Sequence, residues 1–181
     1  MKKHGMVALA ALWICVLAGA VLAQAPSGPP KPGPEHQKLA YFAGKWTSEG
    51  ETKPGAFGPG GKFTFTETCE WYAGGFALVC HSEGMMQGST VKGLSVISYD
   101  PGEKTYIYFE TSSTGENVFS RGAVEGDTWT WNNEGKMYGK PTRARFTMKQ
   151  VSADTAAYKF EMAMGDEPLK LVMEGKQTRA K

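Results

Sequence analysis

Two cysteines, two histidines and one carboxylate in phase with aromatic residues are the side chains of residues 24–181 best suited to chemistry. Cys69 and Cys80 flank the turn signal Ala73-Gly74-Gly75-Phe76. Setting Cys69 opposite Cys80 across a hairpin sets Trp71 opposite Leu78 and puts both sulfurs on one face, as a cross-strand disulfide requires. The expectation is a structural bridge in an oxidising compartment, with two buried thiols as the alternative. Cys80-His81 is not a nucleophilic dyad, because adjacent strand residues point to opposite faces and the imidazole cannot reach the thiolate. His36 and His81 are far apart in sequence and both cysteines fall in one hairpin, so no zinc-ligand spacing appears and no metal is expected.

Glu67 lies in phase with Phe65, Cys69 and Trp71. An inward carboxylate is costly unless it pairs or meets a ligand. Glu67 is therefore the one weak catalytic candidate, an acid or base for isomerase- or lyase-type chemistry on an apolar substrate. Arg121, between Phe119 and Ala123, has two readings. It anchors the carboxylate of an apolar ligand, or it stands outside beside Trp129. The turn at Glu125-Gly126 leaves the choice open: a two-residue loop sets Trp129 and Trp131 beside Gly122 and Ser120, and a three-residue loop sets them beside Arg121 and Phe119. The Gly-rich stretch Thr52–Lys62 lacks the phosphate-loop pattern and opens a strand rather than a helix, so it reads as a flap at a barrel mouth. Met85-Met86 either lines the same portal or fills a gap.

The elements that must position these residues are nearly all strands. Only Glu35–Gly44 looks helical, with Leu39, Phe42 and Ala43 on one face and Gly44 as its stop. Ten strands come after it, near 45–52, 62–72, 76–84, 89–99, 104–112, 117–124, 127–132, 142–150, 155–164 and 168–177, at the spacing of an antiparallel barrel or sandwich. A Gly165-Asp166 loop pairs Met162 with Leu169, Phe160 with Leu171 and Tyr158 with Met173. A Ser152-Ala153-Asp154 loop aligns Phe146 with Phe160 and Met148 with Tyr158, and sets Arg145 across from Glu161 on the other face. The expected fold is all-β: an up-and-down barrel of about ten strands with one short N-terminal helix. A two-sheet sandwich is the alternative.

Residues 1–23 read as an export signal: a basic head at Lys2-Lys3, an uncharged run Met6–Leu22, and small residues at Val21-Leu22-Ala23 for cleavage after Ala23. Cys15 follows bulky Ile14, which a lipobox does not tolerate, so no lipid anchor is expected. Residues 24–34 hold five of the ten prolines and read as an extended linker, leaving 35–181 as the folded domain. The chain carries twenty Lys and Arg against eighteen Asp and Glu, and loss of Lys2 and Lys3 balances the two. A neutral domain disfavours a nucleic-acid partner. No further apolar run is long enough to span a membrane, so the mature protein is expected to be periplasmic or extracellular without an anchor.

At Gly44-Lys45-Trp46, just after the helix and opening the first strand, the chain resembles the G-x-W signature of calycins, the superfamily of lipocalins, fatty-acid-binding proteins and nitrobindin-like barrels. Trp71-Tyr72-Ala73-Gly74-Gly75-Phe76, the Gly84–Gly93 segment and Tyr99-Asp100-Pro101 resemble an uncharacterised bacterial group, domain-of-unknown-function family 1579. The resemblance covers roughly 35–178 and implies a barrel with an internal cavity and no stated activity. It also implies that Trp46 packs at the closed end against a basic residue of the last strand, for which Arg179 is the candidate. Nitrobindin-like proteins hold haem through a histidine near the C-terminus. Glu167–Lys181 contains none, so haem is disfavoured and no cofactor is expected. The leading expectation is an exported barrel binding a small apolar or lipid-like ligand among Phe65, Trp71, Leu78, Phe146, Met148, Tyr158, Phe160, Met162, Leu169 and Leu171. The alternatives are an enzyme using the same cavity and an envelope interaction module without a small ligand.

Overall fold

The computed structural model describes residues 28–180 except 56, 57 and 73. The chain divides into two units at Pro30–Lys31, and the described residues fall almost wholly in the second, Lys31–Lys181. The export signal and residues 24–27 of the linker lie outside the described residues.

In the second unit, a short helix α1 (Pro34–Lys38) runs into a 3-10 turn (Leu39–Tyr41). Pro34 opens the helix where its missing N–H costs nothing. Gly44 ends the segment with φ of +102°, backbone that other residues rarely adopt. The strands are β1 (Gly44–Thr52), β2 (Gly61–Tyr72), β3 (Ala77–Met86), β4 (Ser89–Asp100), β5 (Thr105–Ser112), β6 (Asn117–Glu125), β7 (Thr128–Met137), β8 (Lys140–Ser152), β9 (Thr155–Met164) and β10 (Lys170–Arg179). Each pairs antiparallel with its sequence neighbours, and β1 pairs with β10 to close the barrel. Closure removes the open edges that a sandwich would leave.

Two of the expected registers are observed: Cys69 faces Cys80 and Trp71 faces Leu78, while Phe146 faces Phe160, Met148 faces Tyr158 and Arg145 faces Glu161. The Cys69–Cys80 disulfide is formed. Three other expectations are corrected. The β6–β7 turn is Gly126-Asp127, which sets Trp129 opposite Val124 and Trp131 opposite Gly122. Neither register considered from sequence is the observed one. Gly122 is needed there, since a Cβ would stand 2.6 Å from the Trp131 ring. The β7–β8 hairpin is longer than its polar sequence suggested and turns at Tyr138-Gly139.

The β9–β10 register also differs. Pro168 has no N–H to give a ladder, and the chain stays out of the sheet from Gly165 to Leu169. Arg143 holds this loop by donating to the Glu167 carbonyl at 2.9 Å. A bulge lies between Leu171 and Met173, so Met173, not Leu171, faces Phe160, and Gly175, not Met173, faces Tyr158. The Val172 carbonyl at the bulge accepts the Lys53 N–H at 2.7 Å.

The helix covers one end of the barrel. Leu39 is fully buried, and Phe42 meets Trp129 and Trp131 edge-on with ring centroids 4.9 and 5.8 Å away. Trp129 and Trp131 stack at 5.5 Å, and Tyr106 packs on Trp129 at 4.8 Å. Beneath this plug Trp46 is 1% exposed and donates its indole N–H to the Phe42 carbonyl at 3.0 Å. Arg179, directly across the β1–β10 ladder, stacks 4.2 Å above the Trp46 ring. It donates to the carbonyls of Ala43 at 2.6 Å and Tyr41 at 3.0 Å. Replacing Trp46 with Ala removes a buried aromatic and orphans these contacts. Urea denaturation should show a loss of roughly 3–5 kcal/mol; a loss below about 1 kcal/mol would mean the indole does not hold the closed end.

Candidate functional site

Inward positions alternate along every strand, and their sizes differ between the two ends of the barrel. The helix end is filled by the aromatic plug. Farther along, one wall carries small inward residues: Ser82 on β3, Gly93 and Ser95 on β4, Ser112 on β5 and Ser120 on β6. A cavity of about 430 Å³ remains. It runs from Phe42 and Trp131 beneath the plug to Thr114 and Glu116 in the exposed β5–β6 loop, at the end away from the helix.

Its walls are mainly apolar, with Phe63, Phe65, Ile97, Phe146, Met148 and Met173 among them. Set into them is a polar group: Glu67, Tyr108, Glu110, Tyr158, Gln177 and Ser48. Gln177 donates to Glu67 at a long 3.4 Å, and the Tyr108 hydroxyl donates to Glu110. Gly93 leaves room for this pair, since a Cβ there would stand 3.1 Å from Glu110 Oε1. Burial pushes the Glu67 carboxyl up to about 7, the nearby charge of Glu110 adds to the rise, and the Gln177 donor opposes it. Burial also raises Glu110, partly offset by the Tyr108 donor. Tyr158 is pushed up to about 12 by burial and by the Glu67 charge, against a hydrogen bond with Ser48.

Of the residues singled out from sequence, Phe65, Glu67, Met86, Phe146, Met148, Tyr158 and Phe160 line this cavity together. The other ligand-binding candidates do not. Leu78 is fully buried in the core without lining the cavity, and Met162 is buried on β9 away from it. Trp71 is 43% exposed, because β1 ends its pairing at Cys69 and β2 runs on past the rim. Leu169 lies in the β9–β10 loop, and the bulge turns Leu171 outward opposite Glu161. Arg121 is exposed on the outer face over the Phe119 ring at 5.4 Å, so it anchors nothing inside. The first of its two readings is overturned, and of the second only the outward position holds, since Trp129 is buried inside opposite Val124 and the ring beside Arg121 is Phe119.

Sequence reasoning missed Tyr108, Glu110, Trp131 and Gln177. Thr105–Phe109 is apolar or aromatic on both faces, which hid its inward side. The available signal was Ser112, Glu110 and Tyr108 falling in phase as small or polar residues beside the plug residue Tyr106.

The Glu67 carboxylate and both disulfide sulfurs lie within 4.8 Å of one another. The sulfurs are bonded to each other and offer no thiolate to a metal. Haem ligation by histidine does not fit the donor set either. His36, on α1, is buried and accepts the Gly33 N–H on Nδ1, and His81 is exposed. Neither lines the cavity.

Residues 31–179 match a family model described as "Protein of unknown function (DUF1579)". No curated protein matches the sequence. Among solved structures, the chain is similar to Rv2717c from M. tuberculosis at 15% identity and a TM-score of 0.58, covering 82% of this chain and 99% of that one. It is also similar to the S-type phycobiliprotein lyase CPES from Guillardia theta at 11% identity and a TM-score of 0.56, covering 81% of this chain and 93% of that one. At these identities the likeness is one of fold, a calycin-like barrel.

The raised Glu67 carboxyl has a consequence for stability. Between its ordinary 4.5 and about 7 the folded state holds the proton and the unfolded state has lost it. The contribution of neutral Glu67 is therefore fully present below about pH 4.5 and is lost as pH rises through 7. Glu67→Gln should abolish this loss, raising stability at pH 8 over wild type by roughly 2–3 kcal/mol more than at pH 4.5. Urea denaturation of both proteins at the two pH values measures it; equal pH slopes would show that Glu67 is not desolvated.

Proposed function

The chain belongs to the DUF1579 family, and we propose that it is an exported protein whose calycin-like barrel binds a small, largely apolar ligand. The observation that carries this reading is the cavity of about 430 Å³ in a barrel whose other end is packed solid. That volume lies in the range of small-molecule sites, and mostly apolar walls with a few convergent polar groups are their usual composition. An interior meant only for stability would fill such a space with side chains.

Export is supported by the Cys69–Cys80 disulfide, which persists in oxidising compartments, and by the signal-like residues 1–23. Among the described residues no helix is long and apolar enough to cross a membrane.

A second reading, an isomerase or lyase acting in the same cavity, is favoured by one observation. Glu67 faces the cavity with its carboxyl near neutrality, where a general acid or base works best. The lyase named among the structural neighbours adds nothing to it at 11% identity.

Protein purified from its native host should release a bound small molecule on denaturation, seen as a mass difference between native and denaturing spectra. The emptied protein should bind Nile red. Val118 lines the cavity near its outer end, and Val118→Trp should weaken Nile red binding about tenfold or more. No released mass together with unchanged dye affinity in Val118→Trp would end the ligand-binding reading.

A further inference from the structure

The charges facing the cavity are all of one sign. Among the described residues, its lining includes three carboxyl groups, Glu67, Glu110 and Glu116, and no Lys, Arg or His. A fatty-acid-type anion would enter against these groups and find no cation, since Arg121 lies outside. From this lining we propose that the cavity takes an organic cation, an apolar body bearing an ammonium-type head that sits between Glu67, Glu110 and the neighbouring aromatic rings. The proposal rests on the ligand-binding reading and names its ligand class.

The chemistry around the two carboxyls suits such a head. Tyr108 and Tyr158 belong to the same lining, as do Phe65 and Trp131. Ring faces attract a cation that has lost water, and a partly buried site strengthens that attraction. A second charge inside the barrel would also pair the first, and breaking the isolation of a buried carboxylate offsets its desolvation. Glu67 has little else to do this. Gln177 reaches it from β10 only at 3.4 Å, and Ser82 faces it from β3 in the ladder. The remaining titratable groups turned toward it, Glu110 and Tyr108 on β5 and Tyr158 on β9, are anionic or neutral.

The full mature chain, emptied of ligand, can be titrated with decyltrimethylammonium, decan-1-ol and decanoate, all below their micelle concentrations, by displacement of Nile red. At pH 8.5 the cation should bind about tenfold or more tightly than decanoate and more tightly than decanol. Glu67→Gln with Glu110→Gln should remove that preference, weakening the cation about tenfold while decanol changes less than about threefold. Unmodified protein gives a second readout. Lowering pH from 8.5 to 6 protonates Glu67 and should weaken the cation severalfold, leaving decanol unchanged. If decanol binds and the cation does no better, or the cation ignores both the pH and the double substitution, the head-group assignment is overturned while the cavity stands. If none of the three displaces the dye, the ligand-binding reading fails and this proposal fails with it.

Discussion

Everything inside this barrel depends on how its closed end is sealed. Ten strands close only if the first pairs with the last, and the Trp46–Arg179 step lies at the end of that seam. The guanidinium covers the indole face while its N–H groups take up the Ala43 and Tyr41 carbonyls at the end of the 3-10 turn. Asp154 accepts from its Nε at 3.1 Å, tying the β8–β9 loop to the same point. One side chain thus joins the helix, the first strand, the last strand and a hairpin. An Arg can do this because its planar fork donates in several directions at once without losing its stacking face.

With that end sealed, the distribution of side-chain volume leaves the cavity at the other. The aromatic residues Phe42, Tyr106, Trp129 and Trp131 crowd beneath the helix. Beyond them the serines and Gly93 of β3 to β6 leave space across from Phe146, Tyr158 and Phe160. Native cores close such gaps because each lost contact costs dispersion energy. Here the gap coincides with carboxyl groups that burial makes harder to ionise. Space and uncompensated polarity in one place are what a fold tolerates at a site rather than in a core.

Legibility in the sequence tracked the locality of the contact. The β8–β9 register was readable because a short loop joins two strands whose apolar positions agree only in one alignment. The β2–β3 hairpin was readable for a similar reason, with the cysteines as a second constraint. At β9–β10 the same logic misled. Glycine and aspartate after Met164 promised a tight turn, yet Pro168 keeps the chain out of the ladder and the bulge at Val172 shifts the phase of the rest of β10. Leu171 and Leu169 consequently leave the cavity wall. Glu67 was legible as an inward carboxylate because it shares a phase with Phe65 and Cys69. Glu110 was not, since both faces of β5 are rich in aromatic residues and periodicity cannot say which side is buried.

The sequence by itself determined the strand count, the helix ahead of the strands and the cysteine pairing, and the Gly44-Lys45-Trp46 signature pointed to a basic partner for Trp46 near the C-terminus. The first three rest on period-two patterning, turn chemistry and short loops, which act between neighbours in the chain. Tertiary structure alone decided that Arg121 faces outward, that Trp131 rests on Gly122, and that Glu67, Glu110 and Gln177 share one enclosed space. Glu67, Glu110 and Gln177 come from strands far apart in sequence, brought together only when β1 meets β10. Whether a carboxylate is desolvated, or a wall has a gap, depends on what stands across the barrel, and no pattern along a single strand carries that information.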